Sequence, residues 1–521
     1  MFWRFVRKEL LTHLLTMRLA VALIFTVLLA AMTALTGSID FSRNYAAYRQ
    51  EVREVEEELE QVTVYSQVRT RLVFPPQPLS ILSRGVMQAF GRQYSVNVEG
   101  INIYAPALSS NYDSQFMKTL VQIDFTTVVG LLLSFLAVVL AFDGICGERE
   151  QGTLKQVLTN PMARGQVVLA KLMGGILTLS VPFAIGFGIS LLIMLANPDV
   201  MLSGEDWVRL GGYFVLSCLF LGQVYALSLM VSTFARESDT ALIVCLFAWL
   251  VSGVGYVNAL PSLTRYGVET PPNQNYLDRR QTLWDAHNAE VRGWQQQNPP
   301  PGDRISFGLP RGGVLRYGRP EGYDWLVRLE GFQREKRLKL EEELYQARWA
   351  VWEPLARQAY EVDTWSILSP ISTYQVLSQQ LARTTIDDLF HLSKVGRDYR
   401  ETLISYLRGK KAFASRRWFT DDPLDQEPLI PNSLALPEGV AIQETELWRE
   451  RMAWVEEQDR RIAEGAGRHL DLSDLPRPGG EWQRSLGSSF ELMTPGLVIL
   501  LLGFGASVMA TIARFLKYDP T

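Results

Sequence analysis

The sequence predicts a mainly α protein: a six-helix transmembrane bundle carrying a large, mostly helical extracytoplasmic domain with minor β content. The first observation is clustering. The chain has 521 residues, 47% of them hydrophobic, and the apolar ones gather in six windows, Leu19–Thr36, Phe125–Phe142, Leu172–Ala196, Leu210–Phe234, Ala241–Leu260 and Pro495–Ala513. The second is length: at ~1.5 Å of rise per residue, each window crosses ~30 Å of hydrocarbon as a helix. The third is charge, because the short connections carry their lysines and arginines on one side only.

A single apolar run is equally well a buried core helix, but core helices usually carry a polar stripe and these runs mostly do not. The window Ala241–Leu260 holds no charged residue. Asp124 and Glu491 lie near span ends, where an ionised group is much cheaper than at the bilayer centre, so they mark boundaries rather than an ion path.

Residues 1–18 read as an amphipathic interfacial helix. At ~100° per residue, Phe2, Trp3, Phe5, Val6, Leu10 and Met17 gather on one side and Arg4, Arg7, Lys8 and Arg18 on the other, with Leu11 and Leu15 interrupting the polar face. The first span, 19–37, follows; its apolar run exceeds the ~7–15 residues of a secretory signal and no convincing cleavage site follows it. Residues 38–118 form an extracytoplasmic segment before the second span at 119–142. A loop at 143–171 leads to the third span, 172–196, in which Pro182 permits a bend. The fourth span, 208–234, a short loop at 235–240 and the fifth span, 241–260, precede an extracytoplasmic domain at 261–488. The last span, 490–513, ends in a tail, 514–521. Arg4, Arg7, Lys8, Arg18, Lys155, Arg164, Lys171, Arg236, Arg514 and Lys517 flank the short connections, which places those connections and both termini in the cytoplasm.

Outside the spans, Val52, Val55, Leu59 and Val62 step by three and four within Arg49–Gln67, as do Leu340, Leu344, Ala347, Val351, Leu355 and Ala359 within Arg334–Val362. Pro354 should kink or end the second of these helices. Trp448, Met452, Val455 and Ile462 suggest a third. These are surface helices packed on one another, or else a helical stalk or a partner-binding face. Tyr94–Ile103 alternates and carries β-branched residues, so one or two strands are expected there, with a weaker candidate at Leu434–Ile442. Cys146, Cys218 and Cys245 all lie in or beside spans, so no disulfide staples the outer region.

Catalytic constellations find no support. His13, His287, His391 and His469 are scattered without metal-ligand spacing, and no nucleophile elbow appears. Asp387-Asp388 and Asp421-Asp422 stand where helix caps and turn formers stand. No G-x-x-x-x-G-K-[ST] loop appears, and Gly312-Gly313 and Gly479-Gly480 lie in turn-like stretches. The pairs Gly186/Gly188, Gly253/Gly255 and Gly503/Gly505 suit close helix packing. If ATP drives this chain, another polypeptide binds it.

The remaining signal is the cytoplasmic stretch Gly147-Glu148-Arg149-Glu150-Gln151-Gly152-Thr153-Leu154, followed by Asn160-Pro161 and Arg164-Gly165. It predicts a short helix over Thr153–Thr159, with Leu154, Val157 and Leu158 on one face and Asn160-Pro161 as the stop. Glu148 and Glu150 precede that helix and favour its positive end. A second helix opens near Arg164 and runs through Lys171 into the third span. A small helix joined directly to two spans is a lever.

That pattern, E-R-E-x-G-T-L after the second span, then N-P-x-x-R and a lysine opening the third, resembles the ABC-2 type transporter permeases. The resemblance covers the interfacial helix, the six spans and the loop, roughly half of the chain. It implies a second permease subunit, identical or related, and a dimer of cytoplasmic ABC ATPase subunits that hold ATP and magnesium, leaving no cofactor in this chain. It also implies a bacterial inner-membrane location and an ATPase-coupling role for Glu148, Arg149, Glu150, Gly152, Thr153 and Leu154, with Arg236 and Glu237 as weaker candidates. The large outer insertion is more similar to the gliding-motility and multicopper-enzyme-maturation permeases, on Ser369-Pro370-Ile371-Ser372 and the stretch Thr384–Leu407. The expected function is export, or mechanical work on an extracytoplasmic protein partner; nucleic acid is not an expected partner. The competing reading is a membrane-anchored scaffold or receptor without ATP-driven transport.

Overall fold

The computed structural model describes residues 2–85, 87, 93–97, 100–104, 123–158, 162–265, 273–301, 309–311, 313–316, 318–422, 444–463, 469–477 and 482–517. Among these, six helices are long and apolar enough to cross a membrane, and the chain is a mainly α membrane protein with few, short strands.

Helix α1 (Phe2–Leu14) breaks at Leu15-Thr16, and α2 (Met17–Glu60) opens the bundle. The face that α1 buries is set by its neighbour rather than by its hydrophobic stripe. Val6 and Glu9 are its buried residues, while Trp3 is 68% exposed and Met17 76%. The neighbour is the helix Arg164–Ala196, where Gly174 leaves room: a Cβ there would sit 2.7 Å from that of Glu9. Helix α2 runs for 44 residues, about 66 Å, so the apolar span and the helix expected at Arg49–Gln67 are one rod that stops at Glu60. No breaker separates them except Gly37, and there the missing side chain admits the Ile81 backbone, whose carbonyl oxygen would lie 2.9 Å from a Cβ.

Helix α3 starts at Phe125, passes through a π-helical stretch Val128–Leu133 and ends at Ala141. Asp124 is its N-cap, accepting from Thr127 N at 2.7 Å and Arg84 N at 2.8 Å. Two short helices follow, α4 (Cys146–Glu150) and α5 (Thr153–Leu158). Helix α6 (Arg164–Ala196) continues through Pro182, and α7 (Gly204–Phe234) opens on a capping box between Ser203 and Asp206. Helix α8 begins as Ser238–Leu250, passes through a second π stretch, Val251–Tyr256, and continues as Val257–Arg265.

The stretches outside the spans combine into one folded region. Strands β1 (Thr70–Val73), β2 (Gln93–Asn97) and β3 (Gly100–Tyr104) form an antiparallel sheet in that order, with Thr70 opposite Val96 and Val96 opposite Ile101. The alternation at Tyr94–Ile103 is thus a hairpin, whereas Leu434–Ile442 lies outside the described residues. Helix α9 (Asn273–Gln297) pairs along α10 (Pro320–Ser366), with a two-strand ladder, β4 (Leu309–Arg311) and β5 (Val314–Arg316), between them in sequence. Pro354 does not end α10, which runs on to Ser366. Helices α11 (Pro370–Ala382), α12 (Ile386–Gly409), α13 (Glu446–Ala463) and α14 (Leu486–Leu516) complete the chain. Val62 and Val68 share a core with Leu403, Leu407 and Trp418, and Leu72 and Val96 share another with Leu389 and Leu392, so residues from both outer stretches pack around α12.

Of the carboxylate pairs, Asp388 completes a capping box with Thr385 as expected. Asp421 is not a turn former: it takes a buried bidentate pair with Arg316, at 2.9 and 2.6 Å, because β5 delivers that guanidinium into the core. The three cysteines are free.

Helix α11 packs inside the bundle. Ile371, Tyr374, Leu377 and Leu381 belong to the same apolar core as α3, α6, α7 and α14. Tyr374 stacks on Phe220 with ring centroids 4.4 Å apart, and its hydroxyl bonds Ser217 at 2.9 Å and Tyr213 at 3.2 Å. Both π stretches face it: Ile371 lies against Gly130 and Gly253. A π turn re-aims side chains and backbone locally, which suits two helices that must curve around an inserted third.

Candidate coupling site

After α3 the chain turns through residues 142–145 into α4, whose leading amides are capped from another helix. Ile145 N and Cys146 N both donate to Ser232 Oγ on α7 at 3.1 Å, satisfying groups that a helix start leaves unpaired. Glu148, Arg149 and Glu150 therefore lie on a short helix of their own rather than on a lead-in to α5. Gly152 follows at φ +72°, with nothing near its missing Cβ, so backbone conformation alone calls for glycine there. Then α5 runs over Thr153–Leu158; Thr159, Asn160 and Pro161 lie outside the described residues.

The three charged residues of α4 point at three different spans. Glu148 Oε1 accepts from Lys171 Nζ on α6 at 2.7 Å, and the same ammonium donates to Glu9 of α1 at 3.2 Å. The Lys171 side chain is only 4% exposed. Arg149 donates to the carbonyls of Ala235 and Thr233 at 3.1 and 3.2 Å, neutralising the negative end of α7. Glu150 accepts from Ser238 N at 3.0 Å and Ser238 Oγ at 2.6 Å, capping the positive end of α8. Leu154 is buried in the bundle core.

Two arginines tie in the remaining spans. Arg18, at the start of α2, donates to Val139 O and Asp143 Oδ2, both at 3.2 Å. Arg164, at the start of α6, donates to Leu516 O at the end of α14 at 3.0 Å. Beside the Lys171 pair, burial holds the His13 imidazole below its usual range, against an opposing pull from Glu9.

The eight residues singled out in the sequence thus meet along one seam, but not in one role. Glu148, Arg149 and Glu150 bond their own chain, and Leu154 is core. The face left exposed includes Glu150, Gln151, Gly152, Lys155, Gln156, Arg236 and Glu237, while Thr153 is half-buried and donates to Glu148 O at 3.3 Å. Sequence reasoning did not select Glu9, Ser232 or Ser238. For Glu9 a signal existed: it is the single acid among Arg4, Arg7, Lys8 and Arg18. Among the described residues no cluster of three metal-ligating side chains occurs.

Comparison with known proteins agrees with this architecture. The chain is 39% identical over 121 residues to a probable ABC transporter permease protein NosY of Pseudomonas aeruginosa, covering 22% of this chain and 44% of that one. It is 37% identical over 122 residues to the protein of the same description from Stutzerimonas stutzeri, covering 23% and 44%. The chain therefore spans under half the length of the curated relatives it matches. A family model described as ABC-2 family transporter protein matches residues 6–414, which include most of α1, the first five spans, α4, α5 and the helices through α12. By that match the chain belongs to the ABC-2 transporter family, as an ABC transporter membrane subunit.

Proposed function

We propose that this chain converts ATP-driven movement of a separate ATPase dimer into rearrangement of its own bundle, for export or for mechanical work on an extracytoplasmic partner. The observation that carries the reading is the wiring of α4: one five-residue helix bonds α6, α7 and α8 through Glu148, Arg149 and Glu150. A push on the exposed face at Gln151, Gly152, Lys155, Arg236 and Glu237 moves α4 as a unit, because buried and charge-assisted bonds hold it to the spans. Arg18 and Arg164 carry the displacement to α2 and α14.

In this reading both termini and the coupling segment are cytoplasmic, the outer region lies beyond the inner membrane, and a second permease subunit completes the assembly. ATP and magnesium belong to the ATPase. The chain contributes positioning and transmission, with no catalytic residue of its own.

The test is reconstitution with a cytoplasmic ABC ATPase that co-purifies with this chain. Glu148→Ala with Glu150→Ala should leave assembly intact and lower permease-stimulated ATP hydrolysis at least fivefold. Lys155→Glu with Arg236→Glu should instead weaken the association itself. Normal stimulation in the first double variant would remove α4 from the transmission path.

A further inference from the structure

The outer region carries a groove of about 400 Å³ between α10 and α12. Its walls combine three partly exposed rings with charged groups. Tyr345 and Trp349, one turn apart on α10, hold nearly parallel rings with centroids 6.4 Å apart, and Phe390 of α12 meets Trp349 edge-on at 5.3 Å. Arg397 lies over the Tyr345 ring at 4.3 Å, and its Nη2 donates to both carboxylate oxygens of Glu342, at 3.0 and 3.1 Å. These contacts give the wall part of its order before anything binds, which lowers the ordering cost of association.

The charges do not cancel. Glu342 is matched by Arg397, whereas Lys394, also lining the groove, makes no ion pair or hydrogen bond among the described residues and is exposed. Aromatic rings and arginine are the side chains that anchor protein interfaces, and a free cation beside them selects an acidic counterpart. The volume suits two or three residues of an extended segment. Along α10, Trp349 is 17 residues, about 25 Å, from Ser366, which adjoins the turn where Ser369 bonds Ser252 of α8, while Phe390 lies in the first turns of α12.

We propose that this groove is the docking socket for an extracytoplasmic protein, which inserts an acidic residue flanked by apolar side chains. The acid meets Lys394 and the apolar neighbours pack on Trp349 and Phe390. Because α10 and α12 flank α11 in sequence and α11 lies in the bundle core, an occupant bridging the groove acts on the helices that bracket the inserted one. The socket rests on the outer placement argued above; binding to the chain alone tests the groove, and ATPase stimulation tests that reading separately.

The experiment uses the full chain in lipid nanodiscs and a fluorescein-labelled tetrapeptide with one aspartate among leucines, beside its asparagine and lysine twins. Fluorescence anisotropy should show the aspartate peptide binding three- to tenfold more tightly than the asparagine one. Trp349→Ala should weaken it at least tenfold, and Lys394→Glu, an exposed change harmless to folding, should invert the preference towards lysine. Equal binding of the three peptides, or binding indifferent to Trp349→Ala, overturns the proposal. So does displacement of the peptide by an equal concentration of glycerol phosphate or an acidic disaccharide, which makes the groove a small-anion site instead.

Discussion

Lys171 donates to Glu148 at 2.7 Å from a position almost wholly removed from solvent, and among the described residues its ion-pair partners are Glu148 and Glu9. A buried pair of this kind adds little net stability when complete, yet breaking it strands a charge. Glu148 Oε2 is already buried without a hydrogen-bond partner, so the site has no reserve. Lys171→Met should cost about 3–5 kcal/mol and lower the thermal midpoint in detergent, with α1 exchanging amide protons faster. Adding Glu148→Gln and Glu9→Gln to that variant should recover most of the midpoint, since the stranded charges go with the cation. ATPase stimulation should stay lost in the triple variant, which separates the fold from the transmission.

Gly152 offers a cleaner backbone experiment. A side chain there meets no atom, so the penalty of substitution comes only from holding φ +72°. Gly152→Ala should destabilise the α4–α5 turn by about 1 kcal/mol, and Gly152→Asn by less, because asparagine tolerates the left-handed region. Hydrogen exchange across residues 149–155 checks the order glycine, asparagine, alanine. An alanine variant as protected as the parent would show that the turn adopts another conformation at no cost.

The six spans were legible because a membrane helix must be apolar over its whole length, a constraint that leaves a plain mark on the sequence. Equally legible was a short helix between the second and third spans, since a glycine, a short apolar face and flanking charges mark one, and Thr153–Leu158 forms it. The direction of its charges was hidden. Nothing in E-R-E tells whether Arg149 faces a partner or the carbonyls of Ala235 and Thr233; that depends on where α7 ends in space. The insertion of α11 was hidden for a similar reason: thirteen residues with serines, glutamines and a tyrosine look like a surface helix until Ser217 and Tyr213 supply partners for Tyr374. Pairing across long sequence distances decided both.

Asp363, near the end of α10, gives the fold a pH dependence. Burial, reinforced by the Asp387 charge, pushes its carboxyl up from 3.8 to about 7. Between those values the folded chain holds a proton that the unfolded chain has released, so stability falls as pH rises through this window and levels off above it. After allowance for partial exposure the effect is roughly 2 kcal/mol. Asp363→Asn should flatten the thermal midpoint between pH 5 and pH 8, matching the parent at the acid end and exceeding it at the alkaline end. A parent midpoint that rises with pH in the same interval, and an asparagine variant that follows it, would contradict the assignment.

At Arg383, where α11 gives way to α12, backbone preference and electrostatics oppose each other. It sits at φ +56° with only 2% of its side chain exposed, a position at which glycine would relieve about 1 kcal/mol of strain. Against that, its guanidinium pairs with Glu205 at 2.6 Å and Asp206 at 3.3 Å and bonds Gln483 at 2.8 Å, joining α11 to the N-terminal end of α7 and to the approach to α14. Stranding buried Asp206 costs about 3–5 kcal/mol, so the ion pairs win and Arg383→Gly should lose roughly 2–4 kcal/mol. Arg383→Gly combined with Asp206→Asn should recover more than half of that loss, because the backbone relief remains once the charge is gone. Should Arg383→Gly alone prove neutral in thermal unfolding, the left-handed strain would outweigh the pairs, and α11 would be held in the bundle by the packing of Tyr374 and Leu377 rather than by its cationic cap.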